Sequence, residues 1–238
     1  MNAKRRAGFL VSARPGRYTL MVIMLMAFVL IAPFTGVGTI SNRVLNLVVI
    51  FSLLAVVRTS WPSGRMTTFA VLLALVALLP TFGIWPDAST PGIASHTASL
   101  LFTTLVIVAI LSQVLTTEYV TLDTVVGAAS VYVLIGLLWA TIYALLEFWW
   151  PGSFNFPATF QPAAPTALVP LMKDTIILYY SFETLTTVAY GDITPATPPA
   201  RFFSVAEAMV GQLYLAVLVA RFVGLQVTHY ASTHPRKE

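Results

Sequence analysis

Six stretches of this chain are apolar over the length, or close to the length, that a helix needs to cross a bilayer: roughly residues 18–34, 40–57, 66–85, 98–117, 124–148 and 201–226. About 20 consecutive apolar residues span the hydrocarbon core. Inside lipid the backbone has to satisfy its own polar groups, so such runs fold as helices. A seventh apolar piece, Asp174 to Thr186, is too short to cross and reads as a re-entrant helix. Composition agrees: of 238 residues, 58% are hydrophobic and 9% charged, whereas soluble domains carry roughly a quarter charged residues. The expected fold is an all-α membrane protein with six transmembrane helices and little mass outside the bilayer.

Lys and Arg orient these spans. With the N-terminus in the cytoplasm, Lys4, Arg5, Arg6, Arg14, Arg17, Arg58, Arg65, Arg221, Arg236 and Lys237 fall inside, and only Arg43, Lys173 and Arg201 outside, as the positive-inside rule requires. Both termini are therefore expected in the cytoplasm. Trp85, Trp149 and Trp150 then mark outer ends and Trp61 an inner end, where indole rings anchor at the interface. A basic N-terminus before an apolar run also suits a signal peptide. Here the run closes on Pro33 and Phe34 with no small-residue cleavage site, and is read as a retained first span. The net charge of +4 sits beside apolar spans rather than on a soluble face, which argues against a nucleic-acid partner. Without cysteine there is no disulfide or thiolate metal site, and His96, His229 and His234 lack ligand spacing. Pro151 to Pro170, rich in Pro, Ala and Phe, reads as an ordered extracellular loop without regular structure. A short polar linker near Thr121 divides the chain into a four-helix membrane unit, residues 1–120, and a unit of two spans around the re-entrant helix, residues 121–238.

Between the last two spans lies Thr184-Leu185-Thr186-Thr187-Val188-Ala189-Tyr190-Gly191-Asp192. This run resembles the signature loop of potassium channels, T-V-G-Y-G-D, with alanine at the first glycine. The last unit is similar to the pore domain of the tetrameric potassium channel superfamily: outer helix, pore helix, extended filter, inner helix. The whole chain resembles its bacterial six-span members. The resemblance implies a homotetramer in a bacterial inner membrane, surrounded by lipid, with four chains around one pore. It implies no cofactor beyond potassium ions, which carbonyl oxygens strip of their hydration shell. Carried over residue by residue, the ion ligands are the carbonyls of Thr187, Val188, Ala189 and Tyr190 with the Thr187 hydroxyl, and Gly191 is the last filter glycine. Pointing successive carbonyls to one side requires dihedrals that L-residues resist. Holding Ala189 in the left-handed region costs about 1–2 kcal/mol, so a selective potassium filter stands beside a non-selective or non-conducting regulatory relative as alternatives.

Neighbouring residues extend the resemblance. Tyr179 and Tyr180 occupy the family's aromatic pair; they fit a cuff around the filter, Tyr180 reaching Tyr190 of a neighbouring chain, or ordinary interfacial tyrosines. Glu183 and Asp192 fit an acidic pair behind the filter that shares a proton, or a lone protonated acid and a solvated mouth charge. Gly211, nineteen residues beyond Asp192, matches the family's hinge glycine and equally suits close helix packing. Glu147 ends the fifth span and either ties the outer rim or faces headgroups. Glu207, with Gln212 near it, lines a polar seam behind the filter or is buried protonated against Ser or Tyr partners. The fourth span carries no Arg or Lys, and voltage sensing needs several charges on one helix, so little voltage dependence is expected. With a short tail after Arg221, no soluble ligand-binding domain is expected. A membrane enzyme using Glu183, Asp192 and Glu207 is the rival of another class; no nucleophile elbow or metal-ligand cluster accompanies them.

Overall fold

The structure, a computed structural model, describes residues 18–31, 47, 50, 53–54, 57, 64–78, 89–118, 120–157 and 169–233. Six helices and one small ribbon make up the described elements: α1 (Thr19–Ile31), α2 (Gly64–Leu78), α3 (Ser89–Thr116), α4 (Leu122–Trp149), β1 (Phe154–Asn155), α5 (Val169–Leu185), β2 (Thr194–Pro195) and α6 (Pro198–Thr233).

Three of these helices are long and apolar enough to cross a membrane, over Ile93–Thr116, Leu122–Trp149 and Pro198–Thr228. They make the chain an integral membrane protein. α1 and α2, with 13 and 15 residues, reach only about 20–23 Å at 1.5 Å per residue. The remainders of those two expected spans, residues 32–34 and 79–85, lie outside the described residues. So does most of the expected span 40–57, of which residues 47, 50, 53, 54 and 57 are helical and Leu53 and Val57 are buried.

α4 is the central element and packs against α1, α3, α5 and α6. Its start follows from local chemistry. Thr121 accepts from the Thr124 amide at 3.1 Å while the Thr121 amide reaches the Thr124 hydroxyl at 3.4 Å, a reciprocal cap that satisfies two orphan donors. Asp123 in the first turn suits the positive helix end and accepts from the Tyr18 amide at 3.2 Å, holding the start of α1. Of the apolar window of α4, 56% is buried within the chain, against 6% for α6. α6 therefore presents nearly all its apolar surface outward.

Two expectations are corrected. The segment from Pro151 to Pro170 is not wholly irregular: β1 pairs antiparallel with β2, Phe154 opposite Pro195 and Asn155 opposite Thr194. The short helix expected from Asp174 starts at Val169; Pro170 is tolerated in the first turn, where an N–H has no intrahelical partner.

Candidate functional site

The last carbonyls of a helix lack partners within it, and at the end of α5 the following chain supplies them. The Thr186 amide donates to the Phe182 carbonyl at 3.0 Å and the Thr187 amide to the Thr184 carbonyl at 3.0 Å. The amides of Val188 and Ala189 share the Glu183 carbonyl at 2.9 and 3.3 Å. The Tyr132 hydroxyl of α4 donates to the Leu185 carbonyl at 3.2 Å. With the amides turned back onto α5, the carbonyl oxygens of Thr187, Val188, Ala189 and Tyr190 accept from no donor among the described residues. Buried or not, a row of unpaired carbonyls is unusual, because backbone acceptors are normally paired.

The dihedrals explain the row. Thr187, Ala189 and Gly191 have φ of 60°, 48° and 77°, with Val188 and Tyr190 on the ordinary negative side between them. Alternating hand turns successive peptide planes the same way, amides to one side and carbonyls to the other. Gly191 takes its positive φ without steric cost. Ala189 does not, and Thr187, being β-branched, is a genuine outlier. The strain at Ala189 was foreseeable from the motif; that at Thr187 was not, since nothing in its side chain asks for a left-handed backbone. The Thr187 hydroxyl donates to the Thr186 carbonyl at 2.7 Å and accepts from the Gln212 side-chain amide at 3.3 Å.

Behind the loop, Glu183 is buried, and its Oε2 has no hydrogen-bond partner among the described residues. It stands on α5, which at 17 residues is shorter than the three helices long enough to cross a membrane. Burial first, and the Asp192 carboxylate second, push its carboxyl above the ordinary range; Tyr179 and the Tyr190 amide act the other way. Asp192 accepts from the Tyr179 hydroxyl at 3.0 Å and from the Ile193 amide at 2.9 Å. The two acids and Tyr179 thus form one group beside the Thr187–Gly191 loop. Tyr180 is placed differently from the neighbouring-chain contact expected of it. It is 4% exposed, its hydroxyl lies 2.6 Å from that of Ser204 on α6, and its ring meets Tyr143 and Phe154 edge-on at 5.3 and 5.1 Å.

Glu147, at the end of α4, accepts from the Gly152 and Ser153 amides at 3.1 and 2.9 Å. It fixes the turn from which the Ser153 carbonyl receives the Ala196 amide at 2.8 Å, so α4 is tied to the segment after Asp192. At Gly211 an added Cβ would stand 2.5 Å from the Leu185 carbonyl oxygen. Close approach of α6 to the end of α5 therefore requires glycine there, and α6 runs unbroken through it. Glu207 is fully buried, its Oε2 2.5 Å from the Tyr143 hydroxyl and its Oε1 2.6 Å from that of Ser181. Glu207 does not join Glu183 and Asp192: among the described residues no group of three His, Cys, Asp or Glu side chains is placed to hold a metal ion.

Sequence reasoning missed Tyr132, Tyr143, Ser181 and Ser204. The available signal was hydroxyl groups inside apolar helices, where each needs a partner.

The comparisons with known proteins fall on this same region. A family model described as ion channel matches residues 173–226, from the start of α5 through most of α6. The two pore potassium channel c of Oryza sativa is 37% identical over 83 residues, 35% of this chain and 15% of that protein. The voltage-gated delayed rectifier potassium channel KCNH5 of Homo sapiens is 37% identical over 57 residues, 24% of this chain and 6% of that protein. The chain thus spans only a small part of these two relatives. Protein LctB of Bacillus caldotenax is 34% identical over 114 residues, 47% of this chain and 78% of that protein. No solved structure matches significantly. Covering 78% of Protein LctB at 34% identity, the chain belongs to that protein's family, and its residues 173–226 carry the ion channel domain.

Proposed function

We propose that four copies of this chain surround one pore and conduct potassium passively through a filter of backbone carbonyls. The observation that carries the proposal is the row of unpaired carbonyls from Thr187 to Tyr190, set by alternating φ and anchored on α5. Desolvating a cation needs oxygen ligands in place of water, and one chain offers a single column of them. Four columns make rings. The C-terminal end of α5, the negative end of its dipole, faces the loop and favours a cation there. Residues 1–120 form the membrane unit that precedes the pore domain, 121–238, and six spans complete the layout with both termini in the cytoplasm of a bacterial inner membrane.

The absence of Arg and Lys from residues 93–116 supports little or no voltage dependence, since moving one charge through 100 mV supplies only about 2.3 kcal/mol. A second reading, a non-selective cation pore or a non-conducting regulatory subunit, is favoured by one observation alone: an alanine held at φ 48° inside the filter.

Native mass spectrometry of the detergent-purified protein, followed by rubidium uptake into potassium-loaded vesicles, tests the proposal. Four-chain assemblies and barium-blocked uptake are expected. A monomer, or vesicles that take up no rubidium, would overturn it, and equal uptake of sodium would favour the second reading.

A further inference from the structure

α6 buries few residues within the chain, and those few lie in one line. Ala200, Ser204, Glu207 and Gly211 follow helical spacing of four, three and four, so they share one face. Three of the four rungs meet α5. Ser204 meets Tyr180 at 2.6 Å, Glu207 meets Ser181 at 2.6 Å, and Gly211 abuts the Leu185 carbonyl. Glu207 differs from the other rungs because it also reaches the third helix, through Tyr143 of α4 at 2.5 Å. Ser181 is itself within 2.8 Å of the Gly136 carbonyl of α4. One carboxyl group thus joins all three helices of the pore unit at a site closed to solvent.

Space-filling does not account for it. An apolar side chain of similar volume would fill the site without the cost of burying polar atoms. A hydrogen bond adds direction. Ser181 meets Glu207 at one rotational setting of α5, and two residues further along α5 the Glu183 carbonyl holds the amides of Val188 and Ala189. Rotation of α5 would carry that carbonyl away from the amides that keep Ala189 in its left-handed conformation.

We infer that Glu207 is a positioning residue for the filter: through Ser181 and Tyr143 it locks the rotation of α5 and so holds the strained Thr187–Ala189 segment in its carbonyl-exposing form. The inference deepens the channel reading and rests on it for its functional consequence.

The test is amide hydrogen exchange on the full chain in lipid nanodiscs, read alongside the sodium-to-potassium permeability ratio in vesicles. In Glu207→Leu, exchange across residues 186–192 rises roughly tenfold, the scale of one net hydrogen bond, while α3 keeps its protection. Glu207→Gln keeps an acceptor for Tyr143 and offers a donor to Ser181, so it stays within about twofold of the parent. Ser181→Ala, the milder change if Glu207→Leu fails to fold, reproduces the faster filter exchange, and the double variant exchanges no faster than Glu207→Leu. Conducting variants with faster filter exchange also admit more sodium. Unchanged filter exchange, acceleration spread evenly over the chain, or additive single effects would overturn the inference. A parent protein that passes no cation would overturn the channel reading instead, and the exchange contrast would still decide the role of Glu207.

Discussion

Ala189 puts a methyl group where the backbone of the Thr187–Gly191 loop runs left-handed. A left-handed φ of 48° costs an L-residue about 1–2 kcal/mol, and the proposed tetramer would repeat that cost in every chain. The conformation persists because the Glu183 carbonyl holds the Ala189 amide and its neighbour. Ala189→Gly removes the strain, although glycine loses about 0.5–1 kcal/mol through the unfolded chain. The net effect is a gain of up to about 1.5 kcal/mol per chain in thermal unfolding, with potassium favoured more strongly over sodium. An unchanged permeability ratio would show that the strain has no bearing on selectivity. Gly211 fails by a different route: in Gly211→Ala the new Cβ meets the Leu185 carbonyl oxygen at 2.5 Å. α6 then has to move off α5, at about 1–3 kcal/mol as for overpacked sites, and the unfolding midpoint falls. A glycine serving only as a hinge would leave that midpoint unchanged while altering gating.

The elements differ in how far local sequence determined them. α4 and α6 were readable to within a few residues at their membrane-crossing parts, because lipid demands a continuous apolar run. α6 continues to Thr233, past the apolar stretch, where no apolar pattern announces a helix. The β1–β2 ribbon was invisible because it pairs Phe154 with Pro195, and no local periodicity encodes a partner some forty residues away. The loop Thr187–Gly191 was recognised from its motif. The Tyr132 hydroxyl that caps the Leu185 carbonyl was not, since that contact arises only when α4 and α5 meet. Arg221 likewise shows its role only in three dimensions. Its guanidinium donates to the Leu115 and Thr117 carbonyls at the C-terminal end of α3, where a cation suits the helix dipole. Arg221→Met should lower stability by about 1–2 kcal/mol, measured by tryptophan fluorescence on heating in detergent. A loss no greater than that of an exposed control such as Arg201→Met would mean that the contact is incidental.

At the scale of the molecule, the single chain is incomplete. Val188 and Tyr190 are 50% and 73% exposed, and Phe202, Val205, Met209 and Leu213 of α6 all lie open. Lipid accepts such apolar side chains, but it offers nothing to the unpaired carbonyls of Thr187 to Tyr190, which the proposed assembly of four copies would turn towards a shared axis. The measurement to make is the reversal potential of purified protein in a planar bilayer, potassium on one side and sodium on the other, repeated with barium. Carbonyl rings set by Thr187 to Tyr190 place the reversal near the potassium equilibrium potential, with current blocked by barium. A reversal at zero, insensitive to barium, would contradict a selective filter and leave a cation pore in which Ala189 has broken a ring.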